Sequence, residues 1–501
     1  MTLKLGTVIT TEEGPSVSGF SFVISAENNS GVKRGQFIAV KTDEGTAIAT
    51  ISNIIKTNRY FESAGSVREY NKSSDIFTAF PVKEWEYTIA DAKLLGTYTS
   101  DGMLNRPSFP PSPGVDVTEV ETDLLNKFLG LDQEKGLDLG EVQQHELRAK
   151  FNLTRMIQKH MAVLAISGAG KSYAVSVLIE ELLNRTDKQG RIGILIIDNH
   201  GEYASLAEEF KDKVEVIDAA DIKISAGNVS EKLFAQLMPS MTPVQVRELG
   251  KIMYSLKKDG PFDIADIMDA VKLHTGLSEP TSNALLAWLS ELKAIDVFSD
   301  SDYPNFDNLL QQGHATIINF RDVLDLRRKQ LIVSYISRRL FSLRRKGLVP
   351  PYLEIIEEAH NFCPESTKSE NAISRGIIET LAREGRKFYA NICLISQRPV
   401  QLSTTALSQC NTQMILRVTN PYDLDHIKRS AEAISSSTLD IISSLKVGEA
   451  LIIGEAVNYP VFVKIRKRKS KESHGTKLED YAILWEKKLG NGKLAEGKEF
   501  L

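Results

Sequence analysis

The chain has 501 residues, of which 42% are hydrophobic and 25% charged, and its formal net charge is −4. That composition is typical of soluble globular proteins, and the length predicts two or three domains rather than one core. The small negative charge excludes nucleic-acid binding through the bulk field of the protein, so any such contact requires a local basic surface.

Cys363, Cys393 and Cys410 show no metal-ligand spacing and form an odd set. This pattern favours a reducing compartment, and we expect the protein to be cytoplasmic. The sequence starts without a basic-then-apolar leader, and no apolar run approaches the roughly 18 residues of a membrane-spanning helix. The sequence therefore predicts no contact with a membrane.

Residues 1–100 alternate β-branched and polar residues between glycine-containing turns. The alternating runs lie at 5–10, 20–25, 36–41 and 46–54. Short strands at this spacing predict a small β-barrel, and the lack of a catalytic cluster in it indicates docking rather than chemistry. Residues 101–139 include the run R-P-S-F-P-P-S-P-G and are predicted to form a linker or crossing segment.

From about residue 140 to 470 the sequence alternates strand and helix patterns, which predicts an α/β core with a mostly parallel sheet. Apolar strand signals follow one another along this region, at 191–197, 315–320, 352–356, 390–396 and 413–418, with a closing pair at 447–453 and 461–465. Helical patterns dominate 228–298, so we expect a helical insertion there. In parallel sheets ligands bind at the carboxyl ends of the strands.

The stretch 162–172, A-V-L-A-I-S-G-A-G-K-S, has the order of a phosphate-binding loop: a buried strand, a turn of small residues and a helix start. Ala165 occupies the first glycine position of the pattern G-x-x-x-x-G-K-[ST]. We predict that backbone N–H groups of the turn surround the phosphates, that Lys171 reaches the outer phosphates and that Ser172 ligates magnesium. The predicted nucleotide-binding set is Ser167, Gly168, Ala169, Gly170, Lys171, Ser172, Tyr173 and Asp198.

Two carboxylates follow the strand at 352–356 and are expected at the same sheet edge. Glu357 would orient hydrated Mg²⁺, and Glu358 would polarise the attacking water. Adjacent glutamates can also simply complement a helix dipole, but the preceding strand favours the catalytic interpretation. Asp198, at the tip of another strand, is expected to contact water or magnesium, whereas His200 and Glu202 would couple the site to a loop.

A third strand precedes Gln397, which could sense the γ-phosphate or position water, although S-Q-R-P by itself is an ordinary turn. Arg383 and Arg386 are three residues apart and would share a helical face. They are equally consistent with an arginine supplied to an adjacent subunit and with a solvated basic helix end. For the basic run at 466–469, subunit contact and DNA contact are equally supported.

The motifs G-A-G-K-S, D-N-H-G-E-Y, I-E-E-A-H, A-R-E-G-R-K and S-Q-R-P occur in this order over essentially the whole chain. With the predicted barrel and insertion, the sequence resembles HerA-type translocases of the HerA–FtsK group of P-loop ATPases. The resemblance implies a RecA-like motor core and a homohexameric ring that uses ATP and Mg²⁺ to move along double-stranded DNA. It also implies that a HAS-barrel-like domain docks a nuclease, NurA-like or another effector. Residues 471–501 are assigned to a C-terminal tail, a possible brace between subunits.

Matched by position, Lys171 and Ser172 would be the phosphate-loop pair, Glu357 and Glu358 the acidic pair, and Gln397 the sensor. Arg383 is the first candidate for the arginine in trans and Arg386 the second. The sequence departs from the family pattern at Ala165, at Asn199, where proline is commoner, and at Glu357, where aspartate is frequent. Two alternatives stay open: a ring ATPase acting on conjugative single-stranded DNA or on protein, and a regulatory scaffold for an effector nuclease.

Overall fold

The computed structural model describes residues 3–11, 14–25, 27, 31–65, 67–68, 86–99, 101–238, 241–365, 372–430, 434, 436–471 and 478–490. Within these residues the chain divides into two compact units. The first comprises Met1–Lys171, Gln397–Val400 and Leu407–Lys467, and the second comprises Ser172–Ser396, Gln401–Ala406 and Arg468–Leu501. Of the predicted tail, residues 472–477 and 491–501 lie outside the described residues.

A closed antiparallel barrel forms the N-terminal part of the first unit. Its elements are β1 (Lys4–Ile9), β2 (Gly19–Ile24), β3 (Phe37–Thr42), β4 (Gly45–Asn58), β5 (Glu86–Thr99), β6 (Leu104–Asn105) and β7 (Asp116–Glu119). Six strands pair in the order β2-β1-β7-β3-β4-β5, and the pairing of β2 with β5 closes the ring. β6 pairs with β5 outside that ring.

The barrel follows from the alternation that the sequence shows. In β2 every second residue is buried, and Phe22 and Ile24 face a core that also contains Ile38 and Val117. Closure leaves no free sheet edge between these strands. The structure differs from the predicted boundary at residue 100, because β7 completes the ring from within the segment predicted to be a linker. β7 is only four residues long and follows a proline-rich run, so its alternation is too weak to predict a strand.

The chain then continues through α1 (Thr122–Leu129), β8 (Leu137–Val142), β9 (Arg148–Phe151), α2 (Leu153–Ile157), β10 (Met161–Leu164), α3 (Lys171–Leu183), β11 (Gly193–Asp198), α4 (Leu206–Glu209), β12 (Val214–Asp218) and β13 (Ile224–Ser225). Next come four helices, α5 (Glu231–Leu237), α6 (Pro243–Asp259), α7 (Ile264–Leu273) and α8 (Glu279–Ala294). They confirm the predicted helical insertion. α6 begins with a capping box, in which Thr242 and Gln245 bond to each other's backbone N–H, and with Pro243 at its first position.

The remaining elements are β14 (Phe298–Ser299), β15 (Ala315–Asn319), α9 (Leu326–Arg345), β16 (Tyr352–Ile356), α10 (Arg375–Glu384), β17 (Ala390–Ser396), α11 (Thr404–Leu407), β18 (Thr412–Ile415), α12 (Pro421–Ser430), α13 (Ser436–Ser444), β19 (Glu449–Gly454), β20 (Val461–Ile465) and α14 (Leu478–Gly490). Among the described residues, no helix combines the length and the apolar character needed to cross a membrane.

The second unit contains the five-stranded parallel sheet β12-β15-β11-β16-β17. β11, β16 and β17 are buried at every residue, as expected for parallel strands covered on both faces. In the first unit β10 pairs with β18 in parallel, and β18, β19, β20, β8 and β9 follow in an antiparallel arrangement. The predicted fold class, a mostly parallel RecA-like core after a small barrel, is therefore confirmed.

Within the first unit, the turn between β8 and β9 contacts the barrel. Phe37 in β3 donates its backbone N–H to Nε2 of His145 at 3.0 Å. Burial lowers the pKa of His145 to about 4, because the charged imidazolium loses solvation there. The neutral ring therefore acts as the acceptor for a β-strand N–H.

This pKa predicts how stability depends on pH. An unfolded histidine binds a proton near pH 6.5 while the folded His145 stays neutral, so unfolding is favoured as pH falls from 6.5 towards 4. The contribution of this group to the free energy of unfolding should fall by roughly 3 kcal/mol over that range. Chemical denaturation at several pH values, comparing the wild type with His145→Gln, should show their difference shrinking as pH falls.

Glutamine can accept the same N–H but does not titrate, so it isolates the proton linkage. His274→Gln, in the helical insertion, controls for the loss of an imidazole elsewhere. A wild-type minus His145→Gln difference that is constant between pH 4.5 and 7 would contradict this interpretation.

Candidate functional site

The phosphate-loop strand and turn lie in the first unit. β10 is fully buried, and Ala165, also buried, continues the apolar segment before the turn. Gly168 and Gly170 have φ of +73° and +90°, a backbone region that glycine adopts without strain. A Cβ at Gly168 would have no neighbour within 4 Å, so there is open space beside the turn. The turn thus has room for an anion.

Lys171 and Ser172 are the first residues of α3, as the motif predicts. Lys171 is buried, with only 6% of its surface exposed. In the second unit, Ser172 Oγ donates a hydrogen bond to a carboxylate oxygen of Glu202, in the loop after β11. From the sequence, Glu202 is expected only to couple the site to a loop. Its contact with Ser172 is not predicted by the sequence.

Asp198, the last residue of β11, organises that loop. Its Oδ1 accepts the backbone N–H groups of Gly201 and Glu202 at 2.8 and 3.0 Å, and its Oδ2 accepts that of Tyr203 at 2.9 Å. A carboxylate bound to three backbone donors fixes the loop conformation. The geometry gives Asp198 a loop-positioning role, and its contact with water or magnesium stays a prediction.

Glu357 follows β16 and is fully buried. Its Oε2 accepts the backbone N–H of Asn199 at 2.9 Å and that of His200 at 3.3 Å. The backbone N–H of Glu357 in turn donates to the carbonyl of Ile197 in β11. Glu357 and Asp198 are thereby brought to one sheet edge, as the parallel topology predicts.

Glu358 has a left-handed backbone, with φ of +48° and ψ of +47°, and is 4% exposed. That conformation is uncommon for a residue with a side chain and is typically kept where function requires it. His360 Nδ1 lies 3.4 Å from Glu358 Oε2 and 3.1 Å from Ser396 Oγ at the end of β17. His360 was visible in the I-E-E-A-H motif but had no assigned role.

The electrostatics of this cluster are dominated by negative charge. The Tyr203 side chain is fully buried, and burial, followed by the charges of Glu357, Glu202 and Asp198, raises its pKa well above the ordinary value. Lys329 of α9 donates to Asn199 Oδ1 at 2.7 Å. Burial lowers the pKa of Lys329, while the charge of Glu357 acts in the opposite direction. A divalent cation would be favoured in such surroundings.

The two candidate arginines lie at the C-terminal end of α10. Arg383 is in its last turn, and Arg386 is in the 3-10 turn that follows, at Gly385–Phe388. Both side chains are exposed. In a 3-10 turn, residues three apart lie on the same side. Arg383 and Arg386 can therefore share a face even though the α-helix ends at Glu384. Gln397, half-buried, directly follows β17 and belongs to the first unit.

The residues present fit a nucleotide-bound magnesium ion. Such an ion takes oxygen ligands from one or two side chains, from phosphates and from water. The Ser172 hydroxyl, in contact with the Glu202 carboxylate, supplies oxygen donors of this type. Across the described ranges, no group of three His, Cys, Asp or Glu residues could hold a metal ion by itself.

Comparison with known proteins gives consistent matches. A family model described as "Helicase HerA, central domain" matches residues 137–340. The DNA double-strand break repair helicase HerA of Pyrococcus furiosus is 28% identical over 523 residues, covering 90% of each chain. The protein of the same name from Saccharolobus solfataricus is 27% identical, covering 87% of this chain and 88% of its own.

Among solved structures, VirB4 of Thermoanaerobacter pseudethanolicus has the same core fold, with a TM-score of 0.52 at 13% identity, and the match covers 68% of this chain and 98% of that one. The fold, the phosphate loop and these matches define a P-loop ATPase, an enzyme that hydrolyses ATP. Within the P-loop ATPases the chain is similar to HerA-type helicases, whose central domain its residues 137–340 match.

Proposed function

We propose that this ATPase works as a homohexameric ring that translocates along double-stranded DNA, with a partner nuclease, in DNA end processing or defence. The observation that supports the proposal is the match to two DNA double-strand break repair helicases over at least 87% of this chain. A match of that length extends beyond the ATPase core into the barrel. The proposed location is the cytoplasm.

The chemistry is ATP hydrolysis at the phosphate loop. Lys171 and the backbone N–H groups of the turn bind the phosphates, with Ser167 and Tyr173 flanking them. Ser172 and Glu357 would hold Mg²⁺, which when bound neutralises charge that develops on the phosphate oxygens. Gln397 senses the γ-phosphate.

Glu358 is the proposed general base. It takes a proton from a water whose oxygen attacks the γ-phosphorus, while the bond from that phosphorus to the β–γ bridging oxygen breaks. His360 Nδ1, 3.4 Å from Glu358 Oε2, supports this assignment, because a polar neighbour at this distance restricts the orientation of the carboxylate.

Glu358→Gln should retain ATP binding and lose about 10²–10⁴-fold in turnover, because the amide cannot accept the proton. Lys171→Ala should abolish binding itself. Hydrolysis is measured by phosphate release beside nucleotide binding. Near-wild-type hydrolysis by Glu358→Gln would transfer the role of general base to another group.

Hydrolysis should be stimulated by duplex DNA more than by single strands or protein. Stimulation by protein alone would argue for a different motor class.

The ring proposal requires that subunits complete one another's sites. A loose phosphoryl transition state gains most from an added cation, and a supplied arginine is worth roughly 10³–10⁵ in rate. Arg383 and Arg386 are exposed at a helix end, where a neighbouring subunit can reach them. We assign the role to Arg383, with Arg386 as the second candidate.

Mixed rings test this assignment. Arg383→Ala and Glu358→Gln subunits, each inactive alone, should recover activity when assembled together, because some interfaces then contain both wild-type groups. Lys387→Ala, an exposed cation in the same turn, is the matched control and should leave turnover unchanged. Full activity of Arg383→Ala rings without any partner would exclude that arginine.

The proposed nuclease contact lies on the barrel. The partner would be a NurA-like nuclease or another effector nuclease. Apolar side chains are exposed around β6, with Met103 60%, Phe109 49% and Leu104 36% exposed. In the tail, α14 exposes Leu478, Ile483 and Trp485, which suits the proposed brace between subunits. An exposed apolar patch of this kind marks a protein interaction surface.

Met103→Glu combined with Phe109→Glu should remove co-purification with the nuclease and leave ATP hydrolysis intact, because a charge in an apolar interface is costly to desolvate. Leu273→Glu, an equally apolar and 81% exposed position in the insertion, is the control. Retained nuclease binding in the double variant would place the docking surface elsewhere.

A further inference from the structure

Within the second unit, Ser172 has a specific carboxylate partner. Ser172 Oγ donates to Oε2 of Glu202, which lies thirty residues further along the chain, just after β11. The backbone of Glu202 is itself fixed, because its N–H donates to Asp198 Oδ1 at 3.0 Å. The contact therefore joins the start of α3 to a loop whose conformation is set independently.

The acidic residue after β16 is engaged in a different way. Glu357 Oε2 accepts the backbone N–H groups of Asn199 and His200, at 2.9 and 3.3 Å. These donors belong to the same loop that carries Glu202. Glu357 thus holds the loop, and Glu202 is the carboxylate that the loop presents to Ser172.

A serine hydroxyl that ligates a magnesium ion does so through an oxygen lone pair and keeps its proton. That proton needs an acceptor, and the acceptor determines the direction in which the remaining lone pairs point. Groups of this kind, which bond to a metal ligand rather than to the metal, commonly change metal affinity by about 10–100-fold when removed.

We propose that Glu202 accepts the Ser172 proton and so orients the hydroxyl towards the magnesium ion of bound ATP. Glu202 is then a positioning residue, and Glu357 supports it by fixing the loop. This inference rests on the proposed ATPase site. It gives Glu202, four residues beyond the end of β11, a role that the sequence alone does not assign to it.

The test is nucleotide binding with and without magnesium, using a non-hydrolysable fluorescent ATP analogue and the full-length chain. For Glu202→Leu, whose side chain cannot accept a hydrogen bond, we expect affinity in EDTA to stay within about twofold of the wild type. The magnesium concentration for half-maximal binding should rise by about 10-fold or more. Manganese binding, followed by electron paramagnetic resonance in the presence of the analogue, should weaken in parallel.

Coupling to the serine is the sharper measurement. Because Glu202 acts through Ser172, the Ser172→Ala and Glu202→Leu double variant should require no more magnesium than Ser172→Ala alone. Glu209→Leu, at an exposed carboxylate further along the same segment, should behave as the wild type. Affinity in EDTA serves as the check on folding, since a misfolded variant would lose that as well.

Unchanged magnesium dependence in Glu202→Leu would overturn the proposal, as would additive effects in the double variant. If Glu202→Leu lost affinity in EDTA, Glu202→Asp is the second variant: it keeps the charge but shortens the side chain by one methylene. Wild-type magnesium dependence in that variant would likewise count against the proposal. A wild-type protein that does not bind the analogue, with or without magnesium, would instead refute the proposed ATPase site itself.

Discussion

The hydrogen bonds of Glu357 to the loop after β11 are the constraint on which the rest of the acidic site depends. Glu357 and Asp198 are both fully buried, and between them they accept backbone N–H groups from five consecutive loop residues, 199–203. Removing either carboxylate would leave a buried N–H without its acceptor, that of Asn199 or that of Tyr203, at about 1–3 kcal/mol. The loop therefore has one stable conformation, and that conformation determines where Glu202 is presented. Neighbouring parallel strands, β11 and β16, set the distance across which the bonds form.

Much of this arrangement could be predicted from the sequence, because period and strand position determine it. Continuous apolar runs identified β11, β16 and β17 as buried parallel strands, and parallel strands bring their carboxyl ends to one edge. Hence Asp198 and Glu357 were expected together and are found together, joined through the loop between residues 199 and 203. The barrel was likewise accessible, since alternation with period two specifies which face of each strand is buried.

What the sequence could not provide are contacts that depend on a folded loop. No spacing rule links Ser172 to Glu202, since the path between them crosses α3, β11 and the turn at Asp198. The same limit applies to β7, whose membership of the barrel is decided by the two strands it bridges, β1 and β3. His145 is a third case, because its role depends on one backbone N–H in a different strand. In each case the deciding information is tertiary.

Hydrogen bonds beyond the first turn of α3 also fix the position of this helix. Glu180, fully buried two turns beyond Tyr173, accepts the backbone N–H groups of Lys469 and Ser470, both at 2.9 Å, and the Ser470 hydroxyl at 2.8 Å. Arg468 donates its backbone N–H to the Tyr173 hydroxyl at 2.9 Å. Separating this segment from α3 would leave the Glu180 carboxylate buried without these donors, which is strongly unfavourable. A displacement of α3 at Ser172 must therefore move residues 468–470 with it. These contacts fix the segment 468–470, which directly precedes the tail, to the helix that begins at the phosphate loop.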